Sequence, residues 1–302
     1  MYTMQEKEHV DLLKEKIQKY IKYRREYVQK NRDRQSVDFT SEYMNLMGSV
    51  HDIGSDAYLV IEDIKAMLLD DDIEICWTAR VLIQSMGESA ASLIPEMFQV
   101  MEKWGVNEYP FKIGEILVSL SDNHSQVIDL LKKNINSKSD KLVQAVIHTF
   151  SLLGNRSEVV YEDLMRLASQ GSDDTKGFAI RTLGETGKQD DSLCHLLLDS
   201  AIHTEWYIRG YAIGSMGKLK LNPQKCLPVI IKALTDSEGH DWTVSESAIT
   251  ALGDYGGNAT VAIPYLQKLR IKLKAEDDSS YAVRQLNQTL GKIKGIFPVD
   301  LL

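Results

Sequence analysis

The chain has 302 residues, 43% of them hydrophobic, and a formal net charge of −8. That apolar content suffices for a large core, in one or two ordinary domains or one extended repeat array, and it excludes wholesale disorder. No apolar run approaches the roughly 18 residues of a membrane-spanning helix.

The charge is uneven. Residues 1–34 hold ten Lys/Arg and six Asp/Glu, a balance of +4, which leaves −12 on the rest. An acidic body repels nucleic acid and anionic membrane. It favours a basic protein partner or keeps the chain soluble. The first residues turn polar at once, unlike a secretory signal. Three cysteines, Cys76, Cys194 and Cys226, lack zinc-type spacing. So sparse and odd a count indicates reduced thiols and a cytoplasmic setting. Cys194 and Cys226 stand 32 residues apart in apolar segments, which predicts buried thiols stacked in neighbouring repeats.

Residues 4 to about 33 read as one helix. Val10, Leu13, Ile17, Tyr20 (or Ile21) and Tyr27 (or Val28) form a stripe at helical spacing among nine basic residues, from Lys14 to Arg34. Two readings stand for residues 1–34: a cap laid on the first repeat, or an arm that protrudes toward a partner or anionic surface. Asn31–Phe39 reads as a hinge, and residues 35–302 as the repeat array.

The array has a ruler. Met47-Gly48, Met86-Gly87, Leu153-Gly154, Leu183-Gly184, Met216-Gly217, Leu252-Gly253 and Leu290-Gly291 recur, with Leu120-Ser121 filling the gap, at intervals of 39, 34, 33, 30, 33, 36 and 38 residues. About three turns of apolar and small residues precede each glycine. Glycine is a natural helix stop, because the position after the last helical residue takes a left-handed backbone. A second apolar helix follows, opening near Ser92, Ser157, Lys225 and Val261. Pro95, Pro228 and Pro264 stand near its start, where a missing N–H is tolerated. Each unit is therefore helix A, a glycine turn and helix B. No strand pattern appears. The stretch with Gly210, Gly214 and Gly217 has no preceding strand and no G-K-S/T, so it reads as a repeat helix rather than a phosphate loop.

One motif recurs as Trp206, Ile208, Arg209, Ala212, Met216 and Gly217. It returns as Trp242, Val244, Ala248, Leu252, Gly253 and Gly256, then Ala262-Ile263-Pro264-Tyr265-Leu266, and again as Val283-Arg284 with Leu290-Gly291. This pattern resembles the HEAT-like repeats of bacterial proteins, including those of phycobilisome lyases. The resemblance covers about residue 37 to the end, is good in the last four units and degenerate in the first four. It implies an all-α fold: a solenoid of about seven to eight stacked helix pairs with an N-terminal capping helix. It is nearly silent on activity.

Catalytic signatures are absent: no H-E-x-x-H, G-x-S-x-G, C-x-x-C pair or nucleotide fingerprint. No cofactor or metal site is expected. Cys194-His195 with His203 does not make one, since adjacent helical residues face apart. Acidic residues gather in the links before the A helices: Asp70-Asp71-Asp72, Asp140, Asp173-Asp174, Glu205, Glu238 with Asp241, and Asp277-Asp278. They read as helix caps, or as an acidic rim that attracts a basic partner. Trp77, Tyr109, Trp206, Tyr207, Tyr211, Trp242 and Tyr281 gather near the same links, as inter-repeat packing or as binding anchors. Lys225 and Lys232, then Lys268, Arg270, Lys272 and Lys274, mark the last two complete B helices. They read as complements to helix C-termini or as an anion site on the concave face that B helices line in HEAT arrays.

Three functions compete. The first is a non-catalytic protein-binding scaffold or adaptor, with a toxin-neutralising immunity protein as one form. The second, implied by the resemblance, is a HEAT-like DNA glycosylase. Trp206, Asp241 and Trp242 match residue types used there, yet the −12 body opposes DNA binding. The third, resting only on the resemblance, is a chromophore-lyase-like or assembly-chaperone role.

Overall fold

The computed structural model describes residues 3–30, 41–105, 113–123, 125–235, 242–276 and 281–295. The expected hinge, the C-terminal tail from 296, Tyr109, Glu238, Asp241, Asp277 and Asp278 lie outside them. Among the described residues no strand occurs, and the fold is an all-α solenoid. Contacts divide the chain into two compact units, Met1–Thr149 and Phe150–Leu302.

The first unit contains α1 (Met4–Lys30), α2 (Ser41–His51), α3 (Ile61–Leu68), α4 (Ile73–Met86), α5 (Ile94–Trp104), α6 (Ile113–Leu120), α7 (Gln126–Asn134) and most of α8 (Asp140–Leu152). In α1 the apolar stripe is buried at Leu13, Ile17 and Tyr20, and the helix lies along α2. Tyr20, Tyr23 and Tyr27 gather around Tyr43 of α2, with ring centroids 6.1, 6.4 and 6.5 Å away. Arg24 donates from Nε to both carboxylate oxygens of Asp72, at 3.2 and 2.9 Å. Arg25 reaches Asp70 at 3.0 Å.

The second unit contains α9 (Tyr161–Gln170), α10 (Asp173–Leu183), α11 (Asp191–Ser200), α12 (Trp206–Leu219), α13 (Pro223–Thr235), α14 (Trp242–Tyr255), α15 (Ile263–Glu276) and α16 (Tyr281–Lys294). Its even-numbered A helices pack side by side in order, and so do its odd-numbered B helices. The periodicity of α12 is the reason it sits inward: Ile208, Ala212, Ile213 and Met216 share one stripe and are fully buried. Gly210, Gly214 and Gly217 all fall within that helix.

Two features depart from the expected boundaries. Four A-to-B turns are seven-residue 3₁₀ segments, Gly54–Val60, Gly87–Leu93, Gly154–Val160 and Gly256–Ala262, each opening on a glycine with φ between 54° and 59°. They absorb the first residues expected of the B helices, which start instead at Ile94, Tyr161 and Ile263. Similarly, α13 starts at Pro223, so Pro228 stands inside it, on the exposed side.

The ruler glycines also have two jobs rather than one. Gly87 and Gly154 take the left-handed backbone that ends a helix. Gly217 and Gly253 lie inside helices, and Gly184 closes α10 with φ −62°. Here the glycine removes a side chain where two A helices meet. A Cβ on Gly184 would stand 2.8 Å from Ser215 Cβ, and one on Gly217 would stand 2.5 Å from Ala251 Cβ. The partner residue ties the contact back. Ser215 donates to the Ile180 carbonyl at 3.0 Å, and Thr289, which faces Gly253, donates to the Ile249 carbonyl at 3.2 Å.

Candidate partner-binding surface

The N-terminal ends of helices leave backbone N–H groups without intrahelical partners and carry the positive end of the helix dipole. Acidic link residues answer this in the first unit. Asp72 caps α4 by accepting from the Glu74 N–H at 3.0 Å, and both it and Asp70 also hold an arginine of α1. Asp71 points outward to Lys103 Nζ at 2.5 Å.

In the second unit the carboxylates are used differently. Asp173 and Asp174 open α10 and are exposed. Asp173 meets Lys176 at 3.4 Å and His203 at 3.8 Å. Asp174 accepts from the Tyr207 hydroxyl at 3.3 Å. Glu205 holds the N-cap position of α12 in an extended backbone, yet its side chain makes no capping hydrogen bond.

Trp206 follows at the first position of α12 and is 45% exposed. It is therefore no core residue. It stands edge-on to Tyr207 at 5.8 Å, and Tyr207 edge-on to Tyr211 at 6.3 Å. Arg181 lies over the Tyr211 ring at 5.9 Å. The Tyr207 ring also fills the space that a side chain at Gly177 would need, approaching to 3.1 Å. Burial pushes the Tyr207 phenol up to about 12, and the charges of Asp174, Glu205 and Asp173 push the same way. One ring thus senses all three carboxylates. Asp173, Asp174, Glu205, Trp206, Tyr207 and Tyr211 form one continuous patch across α10 and α12.

The aromatic register continues. Trp242 is the first residue of α14, and Tyr281, 62% exposed, is the first of α16. Trp206 and Trp242 thus occupy equivalent positions on successive A helices, and Tyr281 on the next is offset by one. Trp77 lies deeper, in α4, edge-on to His51 at 5.7 Å.

The motif arginine has a local role. Arg209 donates to the carbonyls of His203 and Thr204 at 2.8 and 2.7 Å, and so holds the link that carries Glu205. The basic residues spread along two B helices. Lys225 and Lys232 are exposed on α13, and Lys268 and Lys272 on α15. Lys225 stands 3.8 Å from Asp191. Arg270 donates to Asn287 of α16 at 3.2 Å.

A half-buried cluster escaped the sequence reading. Asp190 caps α11 through the Leu193 N–H at 2.8 Å and accepts the Tyr161 hydroxyl at 2.6 Å, while Lys188 covers the Tyr161 ring at 3.7 Å. Burial raises the Asp190 carboxyl, but these hydrogen bonds outweigh it and hold the group below its usual range. No repeated spacing links the three residues, so periodicity gave no signal. Cys194 and Cys226 come together in the core with sulfurs 3.8 Å apart, as free thiols. Burial, with Cys194 beside it, pushes the Cys226 thiol up to about 12.

Residues 191–291 match the HEAT repeat family model. Over these residues the chain is similar to HEAT repeats. These include α11 to α15 entire, and thus Glu205's helix α12. No curated protein matches the sequence. Among solved structures, a chain in the structure of Kap95p with RanGDP is similar over 89% of this chain and 41% of that one, at 10% identity and a TM-score of 0.60. The protein thus spans well under half of that chain's length. YibA of E. coli is similar over 86% of this chain and all of its own, at 14% identity and a TM-score of 0.49. A designed armadillo repeat protein in complex with the peptide (KR)4 is similar over 76% of this chain and 98% of its own, at 12% identity and a TM-score of 0.45. Among the described residues no helix is long and apolar enough to cross a membrane.

Proposed function

We propose that the protein is a non-catalytic protein-binding scaffold or adaptor, which takes a basic protein partner on the rim formed by the A-helix N-termini of its second unit. One observation carries this reading: Trp206 stands exposed at the head of α12 beside Asp173, Asp174 and Glu205. Trp and Tyr are common binding anchors, and surrounding charge of one sign selects a partner of the other. Trp242 on α14 and Tyr281 on α16 extend the same rim on this proposal. A repeat array suits the role because it offers one chemical register several times. Kap95p, in the structure with the higher TM-score above, is described as binding RanGDP. An adaptor and a toxin-neutralising immunity protein would both use such a surface, the latter against a basic toxin domain in the cytoplasm.

The test is capture from lysate at low and high salt, with the wild-type chain and with Trp206→Ala. A basic protein retained at low salt, released at high salt and lost with Trp206→Ala supports the reading. Retention of nucleic acid instead, or capture indifferent to Trp206, refutes it and favours the Lys225, Lys232, Lys268, Arg270 and Lys272 face.

A further inference from the structure

The first unit shows how this chain's rim chemistry is satisfied when something occupies it. The occupant is α1, a basic helix with a tyrosine stripe. Arg24 and Arg25 are adjacent, so they splay to two carboxylates: Arg24 to Asp72, the N-cap of α4, and Arg25 to Asp70 in the same link. Tyr20, one helical turn earlier, lies over the first turn of α4, its hydroxyl 3.2 Å from the Glu74 carbonyl and 2.7 Å from Thr78 Oγ1. The helix thus supplies two charges and one aromatic ring to one A-helix head.

The head of α12 offers the matching parts. Like α4 it spans 14 residues and has an acid at its N-cap, Glu205 for Asp72. A second carboxylate stands nearby on α10, at Asp174, already tied to the α12 head through Tyr207. The first-turn aromatic is Trp206. The second carboxylate stands on the neighbouring A helix rather than in the same link, and two further differences separate the sites. Asp72 is held by arginine and by its own helix N–H, with its side chain 18% exposed. Glu205 makes no capping bond, and Trp206 beside it is exposed.

Resting on the scaffold reading above, we propose that the α10–α12 head is a docking site for a basic amphipathic helix of the α1 type: adjacent arginines that divide between Glu205 and Asp174, with an aromatic residue one turn earlier stacked on Trp206. Charge complementarity selects the arginines, whose planar fork suits carboxylates better than the point charge of lysine. The helical form places the ring and the first arginine on one face, one turn apart, and turns the second arginine about 100° away toward the other carboxylate. The chain's own α1 does not fill this site, because Arg24 and Arg25 are held at Asp72 and Asp70.

The probe is a fluorescent peptide with the sequence of residues 13–30, titrated into the full chain by anisotropy. The tethered α1 has an effective concentration of about millimolar at its own site, so a micromolar probe does not exchange into it. Binding is expected, at least tenfold weaker with Glu205→Gln plus Asp174→Asn, at least tenfold weaker for a probe broken by Gln18→Pro and Ile21→Pro at unchanged charge, and unchanged with Asp71→Asn. If the broken probe binds as tightly and still depends on Glu205 and Asp174, the helical docking mode is wrong and the scaffold reading stands. If neither probe depends on those residues, or Asp71→Asn weakens binding equally, the site itself is wrong. Trp206-dependent capture of a basic protein then decides the scaffold reading separately.

Discussion

Replacing Gly217 with alanine tests what the ruler glycine is for. Alanine is a better helix former than glycine by about 1 kcal/mol in a helix interior, so propensity alone predicts stabilisation. The structure predicts the opposite. The new Cβ would sit 2.5 Å from Ala251 Cβ, more than 1 Å inside ordinary carbon contact. Ala251 is part of α14 and buried, so relief requires α12 and α14 to separate. Overpacking of this kind costs about 1–3 kcal/mol. Net destabilisation of up to about 2 kcal/mol follows. Gly214 in the same helix is the control, because nothing lies within 4 Å of its added Cβ. Gly214→Ala should stabilise by up to about 1 kcal/mol. At a urea m-value of about 2 kcal/mol/M, the two variants should differ by about 1 M in midpoint. Equal midpoints would refute close approach as the reason for glycine at 217.

Trp206→Ala should cost less by urea melt than Ile208→Ala, two residues on and fully buried, which should cost about 2–5 kcal/mol. A large loss with Trp206→Ala would make it a core residue. His51 should titrate below its ordinary 6.5 because burial disfavours the cation, with Arg80 adding to this and Asp52 opposing it. The unfolded chain then binds the proton first, so His51's contribution is present above 6.5 and lost as pH falls through the folded value. His51→Gln should flatten the stability difference between about pH 7.5 and pH 5, and an unchanged slope counts against this account. All three cysteines are buried, and burial pushes Cys76 and Cys226 each up to about 12. A thiol reagent should therefore label them only as fast as the chain opens; rapid native labelling would contradict that burial.

The fold was legible because it is written several times. Ile208, Ala212 and Met216 repeat as Val244, Ala248 and Leu252, and such recurrence at helical spacing has one physical meaning. The role of the glycines was only half legible. Sequence marks where a residue is small, but whether the reason is a left-handed turn, as at Gly87, or a neighbouring helix, as at Gly217, depends on a contact more than 30 residues away. Placing Cys194 near Cys226 worked because both fall at the same point of successive B helices. The patch was legible as residue types in links. Which links were already occupied was not. Asp72 and Glu205 look alike in sequence, and the packing of α1 and the capping bond separate them.

The glycine contacts form a relay. Gly184 meets Ser215 on α12; α12 then offers Gly217 to Ala251 on α14; α14 offers Gly253 to Thr289 on α16. Both α12 and α14 are thus a plug toward the helix before and a socket toward the helix after. Such a protein cannot gain, lose or exchange one repeat freely. An inserted unit must bring a small residue at one position and a glycine at the other, or it spoils two interfaces at once. Duplication of a whole unit satisfies both conditions automatically, whereas recombination inside an A helix cuts the plug from its socket. The contacts that space the helices therefore also define the grammar by which the array can grow.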